Sequence, residues 1–454
     1  MKQPQKSHYQ DLTQGKVAKR LILYSLPYLI TTLCQAFANI TDLMIIGIKG
    51  EDASISGVGT GAQLYILILA LAIGLGLGGT VVVGQNYGKG KKDIQKLTDN
   101  MFFIFLAVAI FITVVVTALH NPLLRLLRTP QEAFPAARVF TLLSAAGIPF
   151  LFIFNGQIAI LRGAGDSKRP MYIAVIALAV NAALDALFVL VLNLKEAGVA
   201  LASVISHALS TVIAHLFIKK SGISIKPFSF SPDKEEIKKI MAVAIPGAIQ
   251  NSVAALSFLL ITGFVNSIGK GEAVYTSAAG IIVTKYNNFA ILPSRALSMA
   301  ISAMIAQNVG KGEYKRVKKT FIYGSLITFA FGIVFAAFTL IASKGIFAMF
   351  NCDGRTLRMG LPYLRVLSID YLILPFATSL YGLVNGYGKT NITMLTAILT
   401  SLVLRVPLAY LLGIYFDLGL FGIGCAMPIS TLFSALFIAI TVLAKRKSFK
   451  LKAQ

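Results

Sequence analysis

The chain is poor in charge. Only 13% of its 454 residues are Asp, Glu, Lys or Arg, against about 25% in soluble domains. It has no tryptophan at all, so any aromatic belt at a membrane surface must be built from tyrosine and phenylalanine. Its three cysteines, Cys34, Cys352 and Cys425, are scattered and build neither a disulfide framework nor a metal site. No H-E-x-x-H, Walker loop or nucleophile elbow occurs, which leaves ATP-driven transport and membrane catalysis without residues. What the chain does have is 56% apolar residues and a mean hydropathy of +0.76. No water-soluble core of this length needs so much apolar surface. Soluble enzymes and nucleic-acid-binding proteins are therefore excluded, although the net charge is +24. The basic residues lie between apolar stretches, where an anionic membrane face is the better partner.

Residues 1–20 are polar and carry Lys2, Lys6, Lys16, Lys19 and Arg20. The apolar stretch that follows is too long for a signal-peptide core and has no small-residue cleavage site after it. It reads as a retained first span. A helix crosses a bilayer core with about 20 apolar residues. Such runs fall near 21–48, 56–84, 97–119, 136–161, 171–192, 197–218, 238–265, 274–306, 318–342, 359–386, 391–414 and 420–444. With the N-terminus inside, and basic residues near span ends counted with the segment they adjoin, 29 of the 42 Lys and Arg lie in inner segments, 10 in outer loops and 3 within spans. This asymmetry predicts a multi-pass protein of the cell membrane with both termini in the cytoplasm.

The sequence also repeats itself. Gln85-Asn86-Tyr87-Gly88-Lys89-Gly90 returns as Gln307-Asn308-Val309-Gly310-Lys311-Gly312. Leu26-Pro27 returns as Ile245-Pro246, and Gly198 through Ser206 aligns with Gly422 through Ser430. Arg162 through Ser167 returns more loosely as Asn385 through Thr390. These pairings share an offset of 219 to 224 residues, which implies one duplication. Six spans per half is an even number, so both halves keep one orientation, with a site expected between them near mid-membrane. The expected organisation is an N-lobe over 1–218, a cytoplasmic linker over 219–240 and a C-lobe over 241–454.

Six plus six spans do not name a family, but the loops are more specific. Gly84-Gln85-Asn86-Tyr87-Gly88-Lys89-Gly90 after the second span resembles a signature of the multidrug and toxic compound extrusion (MATE) transporters. So do Leu161-Arg162-Gly163-Ala164-Gly165-Asp166-Ser167-Lys168-Arg169-Pro170-Met171 after the fourth and the Gln307 to Gly312 run after the eighth. The resemblance covers essentially the whole chain. It implies an all-α fold of two pseudo-symmetric six-helix bundles around a central cleft, and a monomer that exports organic small molecules by alternating access. It implies no enzyme activity, no cofactor and no structural metal.

A carboxylate at the centre of a span costs roughly 2.5–3.5 kcal/mol on insertion scales, so it is a functional candidate by default. Of 18 acidic residues, only Asp42, Asp185 and Asp370 lie well inside spans. Gln35, Asn39 and Asp42 share one stripe of the first helix, and Asn181 and Asp185 share a face of the fifth. Two polar stripes in one bundle should face each other, because neither can face lipid. Two carboxylates away from water cannot both stay ionised at low cost, so such a pair could take a proton or, with amide and hydroxyl oxygens, cage a small cation. The alternative is a static polar plug between helices. The DinF-like branch of the family looks to use such an Asp in the first helix with an Asn and an Asp in the fifth, which carries over to Asp42, Asn181 and Asp185. A hydroxyl of the sixth helix belongs to that cluster, and Ser203 is the nearest match. By the same resemblance Pro27 is the point at which the first helix bends. The coupling ion is expected to be H+, with Na+ at Asp42, Asn181 and Asp185 as the other choice.

The second half has no such acids at the corresponding positions, where the repeat supplies Ala254, Phe258, Ile261, Leu404 and Leu408. It holds Lys285 and Arg295 in the eighth span and Arg405 in the eleventh. Either Asp370 neutralises one of these cations, or they give a cleft wall a positive character that suits anionic or zwitterionic groups. Candidate substrate contacts are Gln35, Asn39, Asn155, Lys285, Asn288 and Arg295. A lipid-linked oligosaccharide flippase is the alternative function that a cationic cleft suggests. Two motifs are set aside. Gly74-x-Gly76-x-x-Gly79 lies inside an apolar helix and reads as close helix packing. Gly163-Ala164-Gly165-Asp166 reads as a loop turn, and His207 as a hydrogen-bonded core histidine.

Overall fold

A computed structural model describes residues 11–49, 51–90, 94–220, 232–268, 273–350, 352 and 354–450, without the side chains of Asn39 and Ala273. The described residues form twelve helices long and apolar enough to cross a membrane: α1 (Val17–Lys49), α2 (Asp52–Gly88), α3 (Gln95–Leu126), α4 (Phe134–Gly163), α5 (Lys168–Val191) and α6 (Lys195–Lys220), then α7 (Lys234–Ser267), α8 (Val274–Lys311), α9 (Tyr314–Ala348), α10 (Gly354–Gly386), α11 (Thr390–Tyr415) and α12 (Gly419–Ala444). Every apolar run expected to span lies in its own helix. Each helix runs past its apolar stretch at one or both ends, because backbone bonding continues into the polar flanks. Large apolar side chains such as Phe111, Val114, Val334 and Ile341 stand exposed on the outside, which only lipid makes tolerable.

The repeat seen in the loops recurs in the packing. In the N-terminal half α4 packs on α2, α3 and α6, and in the C-terminal half α10 packs on α8, α9 and α12. Each hub buries large side chains: Phe152 and Leu161 on α4, Leu364, Leu367 and Tyr371 on α10. The fifth and eleventh spans also share a feature invisible in the sequence. Both widen into π-type turns, over Ala186–Val191 in α5 and over Ile398–Arg405 and Leu411–Tyr415 in α11.

The chain packs as two units. One is built on Leu26–Ala248 and the other on Thr13–Ser25 with Ile249–Gln454. Both long divided helices carry a proline close to the division, Pro27 in α1 and Pro246 in α7. The start of α7, placed by sequence partly in a linker and partly in the C-lobe, packs in the first unit for a steric reason. A Cβ on Gly74 would strike the backbone of Gly247 and Ala248, and one on Gly78 would strike that of Ala244. These glycines let α2 and α7 approach backbone to backbone, with Ile240, Ala244 and Ala248 fully or almost fully buried. Gly74 thus serves helix packing. The 221–231 part of the expected linker lies outside the described residues.

The span predicted over 274–306 is helical but broken. Helices Ala273–Ala290 and Leu292–Lys311 meet at Ile291. Pro293 sits at the start of the second piece and brings no N–H for the preceding turn, which localises the break.

Candidate coupling and substrate sites

In the first unit, α1 and α5 bring two acids together. Asp185 on α5 is fully buried, Asn181 one turn before it is 5% exposed, and Asp42 on α1 is half-buried. The carboxyl groups of Asp42 and Asp185 lie within interaction range of each other. Asp42 Oδ1, both oxygens of Asp185 and Asn181 Nδ2 are buried without a hydrogen-bond partner. Neither aspartate forms an ion pair among the described residues. Burying polar atoms unpaired costs free energy. A static plug would be expected to satisfy its own atoms, whereas atoms left unpaired are chemically able to take a proton or a cation.

Sequence reasoning missed a neighbour of this pair. Tyr65 on α2 lies in electrostatic range of Asp42, and its hydroxyl is 3.4 Å from His207 Nε2 on α6. His207 Nδ1 in turn lies 2.7 Å from the Ser203 carbonyl. His207 is thus hydrogen-bonded to its surroundings, and through Tyr65 it stands beside the acids. Tyr65 is the only polar side chain of 64–73, the one signal that could have singled it out. Ser203 offers its carbonyl to His207, whereas the sixth-helix hydroxyl that reaches α5 is that of Ser206, donating to the Ala177 carbonyl at 2.9 Å.

The other N-terminal candidates are more dispersed. Gln35 is half-buried on the Asp42 helix, and the side chain of Asn39 lies outside the described residues. Asn155 spends an amide proton on the Leu151 carbonyl of its own helix, at 2.8 Å. Pro27 lies inside the continuous α1, and Thr31 donates back to its carbonyl at 2.9 Å. The next residue, Tyr28, is held from the fourth-span loop signature: Arg162 donates to its hydroxyl at 2.8 Å and stacks 3.7 Å from its ring centroid. Asp166 in that signature accepts from the N–H groups of Lys168 and Arg169 at 3.0 and 3.1 Å, capping α5. It is a structural turn residue.

The second unit gathers different chemistry. Lys285 and Asn288 are exposed on the first piece of α8, while Asn287 between them is buried and accepts from the Tyr371 hydroxyl at 3.1 Å. Tyr286 shares a 2.6 Å hydrogen bond with Thr339. Arg405 donates from Nε to the Ser430 hydroxyl at 2.8 Å and lies 5.5 Å from the Phe258 ring centroid. Arg295 is exposed and lies in electrostatic range of Arg405. Asp370, 6% exposed on α10, feels Arg405 but makes no ion pair with it. Sequence reasoning left open whether Asp370 neutralises a cation; it compensates Arg405 at a distance and leaves Arg295 to itself.

Among the described residues no three His, Cys, Asp or Glu come together as a metal site. A cation held at the aspartate pair would therefore draw its remaining ligands from Asn181 and nearby hydroxyl and carbonyl oxygens.

Residues 27–187 and 234–411, most of the chain, match the MatE family model. The chain belongs to the MATE family. The probable multidrug resistance protein YpnP of Bacillus subtilis is 28% identical, over 94% of this chain and 94% of that protein. A protein of Shewanella oneidensis named FAD transporter is 26% identical, over 82% of each chain. The outward-facing structure of a multidrug resistance MATE family transporter of the MOP superfamily superposes with a TM-score of 0.89 at 22% identity, covering 99% of this chain and 100% of that one. The MATE fold therefore extends over the whole chain, and its relatives are transporters embedded in a membrane.

Proposed function

We propose that this MATE protein is a secondary-active exporter of amphipathic organic compounds, driven by inward proton flow, with sodium as the second choice of ion. The pairing of Asp42 with Asp185 supports this more than any other feature. Two acids side by side, three of their oxygens buried and unpaired, and no ion pair to either among the described residues are costly as filler and useful as a binding site. The names of its relatives, multidrug resistance proteins among them, agree with organic cargo.

In this reading the outward-open protein takes the coupling ion at Asp42, Asn181 and Asp185, with a sixth-helix hydroxyl such as that of Ser203 nearby. Neutralising the carboxylates lets α1 bend at Pro27, where one backbone hydrogen bond is already missing, and the N-terminal pocket narrows and expels its cargo. One proton falling through 100 mV supplies about 2.3 kcal/mol, enough for a roughly forty-fold gradient of an uncharged substrate at one-to-one exchange. Both chain termini face the cytoplasm.

The test uses purified protein in proteoliposomes and efflux of a fluorescent dye. A pH gradient without sodium is compared with a sodium gradient at equal pH. Wild type is expected to respond to the pH gradient, and Asp42→Asn and Asp185→Asn each to fall to the level of empty vesicles. If both variants, folded and well incorporated, transport as wild type does, the aspartates do not couple transport.

A further inference from the structure

Three charged side chains sit near the middles of their spans in the second unit: Arg295 on α8, Arg405 on α11 and Asp370 on α10. Arg405 lies in electrostatic range of both Arg295 and Asp370, and no ion pair joins them among the described residues. A guanidinium at the centre of a span costs several kcal/mol against lipid, so it faces water or a partner. Arg295 is exposed, and among the described residues it has neither a hydrogen-bond nor an ion-pair partner. It therefore faces water. The side on which it does so is marked by Arg405, whose own surroundings are the Ser430 hydroxyl of α12 and the Phe258 ring of α7.

The two cations differ in how they are held. Arg405 is fixed by its Nε–H to Ser430 and by the aromatic face, which leaves the outer N–H groups of its planar fork to point elsewhere. Arg295 rises from the first turn after the Pro293 break, so its position is set by backbone geometry and its donors are uncommitted. Buried Asp370 lies in electrostatic range of Arg405 and offsets part of its charge without an ion pair that would consume its donors. Two guanidinium groups with no ion pair to an acid among the described residues, and an aromatic ring beside one of them, match a planar or tetrahedral oxyanion joined to an apolar body.

We infer that Arg295 and Arg405 form an anion-recognising subsite of the second unit, which takes the carboxylate or phosphate of an amphipathic cargo while Phe258 packs on its apolar part. This names the substrate class for the exporter proposed above and rests on that reading. Cargo would then be zwitterionic or anionic, recognised at arginines in the second unit while the coupling ion is handled by aspartates in the first.

The test is a binding measurement without any gradient. Purified protein in phosphatidylcholine nanodiscs is titrated with a rhodamine carrying a free carboxylate and with its methyl ester, and the acid-to-ester affinity ratio is read. Wild type is expected to favour the acid. Arg295→Gln should lower that ratio about tenfold, the size of one charge-assisted hydrogen bond. Arg295→Lys should restore part of it, and Asp370→Asn should raise it. Misfolding would weaken both dyes and leave the ratio alone, so a structural effect is separable. Equal binding of acid and ester by wild type, or an unchanged ratio in Arg295→Gln, overturns the inference even if a pH gradient still drives dye efflux. A clear acid preference in a protein that no gradient can drive would instead keep the subsite and overturn the exporter reading. Repeating the titration with phosphatidylglycerol in the nanodisc separates the sources of the oxyanion. Loss of the acid preference there assigns the subsite to a lipid headgroup and overturns it as a cargo site.

Discussion

Asp233 holds the entry to α7 by three separate bonds. Its carboxylate accepts the N–H groups of Glu235 and Glu236 at 2.9 and 3.0 Å, and its own N–H donates to Asn100 Oδ1 at 2.9 Å. It also pairs with Lys96. The Lys96 ammonium, and then the cap N–H groups, hold the carboxyl below the usual carboxylate range. A lowered value in the folded state means that the pair stabilises the folded chain above the ordinary carboxylate range and stops doing so as pH falls through the lowered value. The expected outcome is faster amide exchange in the first turn of α7 as pH falls below that range, once the intrinsic pH dependence of exchange is removed. In Asp233→Ala the same turn should exchange fast at neutral pH and show little further acid response. A wild-type turn that stays equally protected across the range would mean that the cap, not the charge, holds α7. At this scale the sequence is partly legible. An Asp before a helical run announces a cap, as Asp166 does for α5, but the partners Asn100 and Lys96 come from 133 and 137 residues away. Asp42 and Asp185 are legible because charge is rare inside spans. Tyr65 is hard to find because a tyrosine costs little in an apolar helix.

Elements are read well when the bilayer dictates them and poorly when packing does. Twelve apolar runs become twelve helices because lipid leaves the backbone no other way to satisfy itself. The π-type turns next to Asp185 and at Arg405 have no counterpart in hydropathy, since they change only which backbone group bonds which. The approach of α2 to α7 lies between these cases: small residues suggest close packing, but they do not say against what. Gly78 meets the Ala244 backbone, whereas Gly59 on the same helix has nothing within 4 Å of an added Cβ. Gly78→Ala should therefore destabilise by about 1–3 kcal/mol through overpacking against backbone that cannot rotate away. Gly59→Ala should be neutral or stabilise by up to about 1 kcal/mol, since alanine is the better helix former. Thermal unfolding in one detergent, read for both variants, checks the contrast. Equal effects at the two sites would show that α2 and α7 can separate at no cost.

The molecule as a whole is a duplication that has kept its packing and changed its buried polar residues. Hub helices α4 and α10 pack on corresponding partners, yet acids and amides occupy the first half where the second has alanine, phenylalanine, isoleucine and leucines. Even spans per half preserve orientation, so one charge bias must orient both. That bias is strong, with 29 Lys and Arg against 10, and it makes a prediction for every loop at once. The Lys195–Glu51 pair, 2.8 Å long, and the Lys49 bond to the Leu190 carbonyl, 2.7 Å, tie the α1–α2 and α5–α6 connections together, so these should appear on the same, outer face. In a variant lacking Cys34, Cys352 and Cys425, single cysteines at Lys195 and at Lys447 are labelled in intact cells with a membrane-impermeant maleimide. Lys195→Cys should react in intact cells, and Lys447→Cys only after the membrane is opened. The reverse pattern would invert the molecule. The orientation read from the charge bias would then be wrong, and with it the expected cytoplasmic placement of both termini.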